Sequence, residues 1–303
     1  MIRSNLWKIP HDIDLVVGVP RSGMLPASII ALYLNTNLGD LDGLLENRHF
    51  ILGRTRQDYM RHLEVKKVLV VDDSVLSGGS IAETKKKLAS ISSKYDFTFL
   101  TPISSSHGLQ YVDIYFEIID EERIFEWNLF HNDSLMKACF DLDGVFCCDP
   151  KVDDDGEQYI SFLETATPLF IPTAPVGTII TCRLEKYRKQ TEAWLSKYNI
   201  NYKELVMLDM PTKAERLKWG QHGEYKGEYY KKSNNSLFIE SSYKQALTIA
   251  KISHKDVICI ETNSIINIQT IPKSVSNKTK EYVKYNYPKL FEFLKYIRGI
   301  MKT

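Results

Sequence analysis

Two pairs of carboxylates stand in settings that suit chemistry. In VLVVDDSVLSGGS, residues 68–80, a β-branched run ends in Asp72 and Asp73, and a small-residue loop follows before a helical pattern opens at Ile81. Ser77, Gly78, Gly79 and Ser80 leave backbone amides unhindered at a helix N-terminus, where the helix dipole and hydroxyl donors favour a phosphate. Asp72 and Asp73, at the strand's carboxyl end, can accept hydrogen bonds from paired sugar hydroxyls, and that edge is where open α/β sheets bind ligands. In FDLDGVF, residues 140–146, Asp141 and Asp143 lie two apart after a hydrophobic lead-in, so on a strand end both can face one side. Asp141 can then attack a phosphorus atom while Asp143 protonates the departing oxygen and afterwards activates water. An isolated acidic turn at the surface accounts equally well for the second segment taken alone. The first is set apart by the order of its parts.

The elements needed to hold these groups are legible. Between residues 13 and 119 the runs IDLVVGV, KVLVVDD, FTFLTPI and VDIYFEII alternate with the helical patterns LPASIIALYL and IAETKKKLASI. That alternation predicts βαβ units and a parallel sheet covered on both faces. A second cycle begins at residue 136 with MKACFDLDGVF and GTIITCR, and continues through LEKYRKQTEAWLSKY, LVMLDM, SLFIESS, SYKQALTIAKI and VICIET. The charged stretch DEERIFEWNLFHNDS between them places the boundary near Asn132–Ser134. The expected organisation is a first domain over 1–133, a second over 134–272, and a basic tail over 273–303. The tail carries eight Lys and Arg against Glu281 and Glu292, with Leu290, Leu294, Ile297 and Met301 at helical spacing after Pro288. It reads as an amphipathic helix, docked on a domain or resting on an anionic membrane surface.

Composition narrows the class. A chain of 303 residues predicts two domains at about 100–200 residues each. With 44% hydrophobic and 25% charged residues it is neither disordered nor fibrous. Lys plus Arg number 39 and Asp plus Glu 38, so no general affinity for nucleic acid follows. Apolar runs are strand-sized, well short of the roughly 18 residues of a membrane span, and the first residues do not read as a secretory signal. The expected compartment is the cytoplasm. Cys139, Cys147, Cys148, Cys182 and Cys259 form no CxxC pair, which argues against zinc and leaves them as small buried hydrophobes. His62, His107 and His222 have no constellation around them and read as surface or structural residues.

Residues 68–80 resemble the phosphoribosyl pyrophosphate (PRPP) motif of type I phosphoribosyltransferases. VVGVPRSGMLPA, residues 16–27, resembles that family's pyrophosphate loop, with Arg21, Ser22 and Gly23 as candidate binders. Arg21 brings a fork of donors for pyrophosphate oxygens. GRTRQDYMR, residues 53–61, stands where the family has a mobile loop, which makes Arg54 and Arg56 candidates for screening pyrophosphate charge; two solvated arginines in a hairpin is the competing reading. The resemblance implies displacement of pyrophosphate from C1 of PRPP through an oxocarbenium-like transition state, assisted by Mg²⁺. Two departures weaken a nucleobase acceptor. Leu76 stands where purine-using members commonly carry an acidic residue, and the segment before the first strand is short for a hood over a base.

The second half resembles the haloacid dehalogenase (HAD) superfamily of aspartate-nucleophile phosphatases, without a cap domain. FDLDGVF matches its first motif, GTIITCR its second with Thr181 to bind the phosphoryl group, and SLFIESS its fourth with Glu240. The third-motif lysine falls on Lys226, or on Lys231 as the alternative. The resemblance implies Mg²⁺ held by Asp141, the main-chain carbonyl of Asp143, and Glu240. A second acid is common at this last station, but here Ser241 and Ser242 follow. The roughly 30 residues between the first two motifs have room for a hairpin flap but not for a folded cap. An open site suits a bulky phosphorylated molecule.

The fold class expected is therefore α/β, with two Rossmann-like parallel-sheet domains. The two resemblances chain chemically. Phosphoribosyl transfer leaves a 5-phosphate on the acceptor, and a phosphomonoesterase removes it to leave ribofuranose. Tandem proteins of this kind resemble enzymes that install ribofuranose in bacterial surface polysaccharides, which implies a glycan acceptor. Two alternatives stay open: nucleotide salvage pairing a nucleobase phosphoribosyltransferase with a 5′-nucleotidase, and a non-catalytic PRPP-binding regulator.

Overall fold

The computed structural model describes residues 1–48, 64–121, 123–151 and 155–267. Arg54 and Arg56 and the tail from residue 273 lie outside them. The chain divides into two compact units, Met1–Arg123 and Ile124–Thr303. The division falls earlier than the expected boundary near residue 133. Leu129 and Phe130 are buried in the second unit's core and Ile124 packs against it, so these residues belong to that unit although no periodicity marks them.

In the first unit the strands are β1 (Leu15–Gly18), β2 (Asn37–Asp40), β3 (Lys67–Val71), β4 (Ser74–Val75), β5 (Asp96–Ser104) and β6 (Ile114–Ile118). Their order is β2-β1-β3-β5-β4, with β6 also on β5, and every pairing is parallel. Alternate residues enter opposite cores: Leu15, Val17, Val68 and Val70 on one face, Val16, Leu69 and Val71 on the other. A parallel sheet covered on both faces needs such runs, apolar at every position. Gly18 pairs with Val71 across β1 and β3, so the segments leaving these two strands emerge side by side at one edge.

In the second unit the strands are β7 (Ala138–Phe140), β8 (Val176–Leu184), β9 (Tyr202–Leu208), β10 (Leu237–Glu240), β11 (Asp256–Cys259) and β12 (Ser264–Ile266). Their order is β12-β11-β10-β7-β8-β9, with only the β11–β12 pair antiparallel among those described. The central β7 pairs Phe140 with Ile239 and with Ile179, which sets Asp141 beside the carboxyl ends of its two neighbours.

The insertion after residue 148 contains a helix, Gly156–Thr165, in place of the expected hairpin. Asp155 caps it by accepting from the Gly156 amide. Tyr159 and Leu163, one turn apart, are buried with Leu184, Tyr187 and Leu208, so this helix packs on the unit's own body and is no separate cap. Among the described residues, no helix is long and apolar enough to cross a membrane.

Candidate functional site

The first site forms where the ends of β1 and β3 meet. The Val19 amide donates to the Val71 carbonyl (2.9 Å), which extends the pairing past Gly18. The Pro20–Arg21 peptide is cis, and Arg21 is exposed. Ser22 Oγ donates to Asp73 Oδ1 (2.8 Å) and Ser80 Oγ donates to Asp72 Oδ2 (2.9 Å). These two bonds join the loop after β1, the acidic pair and the start of helix Gly79–Leu88 into one surface. Gly78 precedes that helix at φ +82°, and Ser77, Gly79 and Ser80 are exposed, open to a ligand.

Gly23 is required by close approach. A Cβ there would lie 2.5 Å from the Val19 carbonyl oxygen and 2.7 Å from that of Val71. Both are backbone atoms, and that of Val71 accepts from the Val19 amide, so neither can yield cheaply. Gly23→Ala is expected to lower the stability of the first unit by about 1–3 kcal/mol, read by denaturant unfolding, as an overpacked core site does.

Asp72 is only 5% exposed. Burial pushes its carboxyl up to about 6, helped by the Asp73 charge and opposed by the Ser80 hydroxyl. A buried acid beside a second acid is a poor resting arrangement and a good receptor for donor hydroxyls and a cation-bearing ligand. Leu76, 60% exposed, presents no proton-transferring group.

The second site is a cleft of 740 Å³ at the carboxyl edge of the second sheet, lined among others by Asp141, Asp143, Thr181, Arg183 and Lys226. The Asp141 amide donates to the Ile239 carbonyl (2.9 Å), fixing the residue just past β7. Thr181 lies in β8, buried, and its Oγ1 accepts from the Arg183 amide (3.1 Å). Glu240, the last residue of β10, is fully buried.

Lys226 joins the two acids. It lies in the second turn of helix His222–Lys232, which is pinned by Tyr225 Oη to the Met207 carbonyl and by Tyr230 Oη to the Asp256 carbonyl (both 2.9 Å). From there Nζ reaches Asp141 Oδ2 and Glu240 Oε2, each at 2.8 Å, with the lysine only 2% exposed. Lys231 is exposed on the same helix. Burial alone would lower Lys226, but the facing Asp141 and Glu240 outweigh it and raise it. Burial, then the Glu240 charge, push Asp141 well above the usual carboxylate range, with Lys226 pulling the other way.

Asp143 is engaged as well. Arg183 donates from Nη2 to Oδ1 (2.6 Å) and from Nε to Oδ2 (3.0 Å), and is only 1% exposed. Of the groups expected to hold Mg²⁺, the Asp141 and Glu240 carboxylates both face Lys226, while Arg183 faces the side chain of Asp143 and not its main-chain carbonyl. Among the described residues, no group of three or more His, Cys, Asp or Glu is placed to hold a metal ion. The arrangement can position an anion near Asp141 and Thr181, under the charges of Lys226 and the arginines.

Sequence reasoning missed Arg183, Arg216 and Asp149 as cleft-lining residues and set His222 aside, although it lines the same cleft. Arg183 is two residues past Thr181 in one strand, the period that keeps both on one face, and that spacing was the available signal.

No curated protein matches the chain. Among solved structures, the chain is similar to the purine phosphoribosyltransferase of Pyrococcus horikoshii Ot3 (15% identity, 41% of this chain and 90% of that chain, TM-score 0.28). It is also similar to the xanthine-guanine-hypoxanthine phosphoribosyltransferase of Helicobacter pylori (19% identity, 42% of this chain and 84% of that chain, TM-score 0.32). A chain of the Pnkp1/Rnl/Hen1 RNA repair complex is matched over 81% of this chain and 94% of its own, at 13% identity and TM-score 0.29. Residues 2–137 match the family described as the phosphoribosyl transferase domain. The N-terminal part of this protein is a phosphoribosyltransferase domain.

Proposed function

We propose that the chain transfers the 5-phosphoribosyl group of PRPP to an acceptor hydroxyl and then hydrolyses the 5-phosphate, leaving ribofuranose, with a surface-polysaccharide glycan as the acceptor class. The observation that carries the first step is the pair of bonds Ser22–Asp73 and Ser80–Asp72, which set two anion-seeking loops against one acidic pair. Ser77–Ser80 take the 5-phosphate at the helix N-terminus, Asp72 and Asp73 orient the ribose hydroxyls, and Arg21, Ser22 and Gly23 take the pyrophosphate. Mg²⁺ bound with PRPP would supply charge neutralisation for the leaving group, beside Arg21 and Ser22. Leu76 offers no acid for a nucleobase ring proton, which favours a neutral hydroxyl acceptor.

The second step is assigned to the cleft of the second unit, in a capless HAD-like fold. Asp141 is the nucleophile, Thr181 and Lys226 hold the phosphoryl oxygens, and the glycan extends from the open mouth. The support is the meeting of Asp141, Lys226 and Glu240 at the ends of adjacent parallel strands.

The first step is tested by pyrophosphate release from PRPP and Mg²⁺ with glycan and nucleobase acceptors in parallel. Release with a glycan and not with a base is expected; the reverse pattern would assign the chain to salvage. A pH series adds a second check. Only the Asp72 carboxylate accepts fully from ribose hydroxyls, so PRPP affinity is expected to fall as pH drops through about 6. Folding runs the other way. With its folded value raised, Asp72 holds a proton in the native state that the unfolded chain has lost, so its contribution favours folding at low pH and is lost as pH rises past about 6. Asp72→Asn is thus expected to stabilise the ligand-free first unit at pH 8, by about 1–2 kcal/mol, while losing PRPP affinity.

A further inference from the structure

The cleft of the second unit has a wall that the phosphate chemistry does not use. On helix His222–Lys232, Lys226 Nζ stands 2.8 Å from Asp141 Oδ2, and His222 lies four residues earlier on the same face. Residues so spaced are roughly 5–6 Å apart at Cβ, about the span from the ester carbon of a pentose 5-phosphate to its ring hydroxyls. His222 and Gln245 both line the cleft. Gln245 lies in the first turn of helix Tyr243–Ser253, and the two helices meet closely there: a Cβ built on Gly223 would stand 3.0 Å from Thr248 Cβ and 3.4 Å from Gln245 Cα. The His222 ring packs beside Trp219 (centroids 5.9 Å), which meets Tyr225 edge-on (6.0 Å), and Tyr225 Oη donates to the Met207 carbonyl (2.9 Å). That chain of contacts fixes where the imidazole stands.

Two polar atoms of this wall, His222 Nε2 and Gln245 Oε1, are buried and have no hydrogen-bond partner among the described residues. A buried polar atom left unpaired costs free energy, and native folds pair nearly all of them. Both side chains keep part of their surface exposed and border the cleft, so the missing partner comes from the cleft side. Their chemistry names it. An amide oxygen accepts, a neutral imidazole accepts or donates, and neither brings charge for a phosphate. Burial, then the Arg216 and Lys226 charges, hold His222 below its ordinary value against Glu224 and Glu240. Ser242, which precedes the helix of Gln245, adds a hydroxyl to the same lining. Sugar hydroxyls, which donate and accept, suit such a set.

We propose that His222 and Gln245 are specificity-determining residues that hydrogen-bond the ring hydroxyls of a pentofuranose while its 5-phosphate lies at Asp141 and Thr181. The inference rests on the reading of the second unit as a phosphomonoesterase and names the sugar part of its substrate. Gln245 accepts from one hydroxyl, and the His222 ring bonds its neighbour. A substrate without these hydroxyls leaves both atoms orphaned, and a site built to bond hydroxyls discriminates strongly against such an analogue.

The test uses the full chain, its Gln245→Leu, His222→Leu and His222→Gln variants, and two phosphate esters of primary alcohols. Methyl ribofuranoside 5-phosphate carries the hydroxyls; tetrahydrofurfuryl phosphate keeps the five-membered ring and the phosphate without them. The parent is expected to favour the ribofuranoside by about 100-fold or more in kcat/KM. Gln245→Leu and His222→Leu are each expected to lower kcat/KM on the ribofuranoside about tenfold or more, and on tetrahydrofurfuryl phosphate less than about threefold. His222→Gln, which keeps a polar nitrogen near the place of Nε2, is expected to recover part of the loss. Thermal unfolding of the two leucine variants is expected to stay level or rise, because an apolar group replaces an orphaned polar one. Equal losses on the two esters, as a purely structural role would give, no loss on either, or a parent without preference would overturn the assignment of sugar recognition to His222 and Gln245. A folded parent chain that releases phosphate from neither ester would instead overturn the phosphomonoesterase reading itself.

Discussion

Exchanging Asp141 for asparagine is expected to lower phosphate release by about 10⁴-fold or more, because the carboxylate oxygen that bonds to phosphorus is replaced by an amide that does not attack. Pyrophosphate release from PRPP is expected to continue at the parental rate, since Asp141 belongs to the second unit and the PRPP loops to the first. The 5-phosphoribosylated acceptor should then accumulate, detectable by mass spectrometry as the product that the parent chain consumes. Identical products from parent and variant would separate the two activities and count against a sequential reaction.

The second large effect concerns folding. Lys226 is the cation shared by Asp141 and Glu240, and all three are nearly or fully buried. Lys226→Met leaves two buried carboxylates without a cation, and removing one member of such a set costs about 3–5 kcal/mol. The loss should appear in the denaturant unfolding of the second unit and should shrink as pH falls. Burial and the Glu240 charge already raise Asp141, so without the lysine it gains a proton more easily in the folded chain than in the unfolded one. That difference favours folding at low pH and is lost as pH rises. Combining Lys226→Met with Glu240→Gln is expected to recover part of the stability at pH 7, with phosphate release still absent. A pH-independent deficit would mean that the lysine acts by packing alone.

The parts legible in the sequence are those whose chemistry is contiguous. Asp72 through Ser80 form a strand end, an acidic pair and a helix start in one run, and the parallel register of β1 and β3 then brings Ser22 to Asp73. Strands buried on both faces read as unbroken apolar runs, so both sheets could be anticipated. Lys226 could be narrowed to two positions but no further, because Lys231 lies on the same helix and only packing turns one of them inward.

What stayed hidden depends on contacts distant in sequence or on irregular backbone. Ile124, Leu129 and Phe130 join the second core from a stretch of short 3₁₀ turns that carries no period, so no spacing in the sequence marks where the second unit begins. The helix Gly156–Thr165 was passed over as a hairpin although Asp155 before it and the Tyr159–Leu163 pair were helix signals in the sequence. The engagement of Asp143 by Arg183 spans forty residues and cannot be read from spacing along the chain.

The central claim, one chain performing two successive reactions on the same pentose, is tested most directly by measuring pyrophosphate and orthophosphate together while the chain turns over PRPP and Mg²⁺ with a glycan acceptor. The account predicts equal amounts of the two, with orthophosphate lagging pyrophosphate and both dependent on the acceptor. Pyrophosphate without orthophosphate, or orthophosphate released without the acceptor, would contradict it.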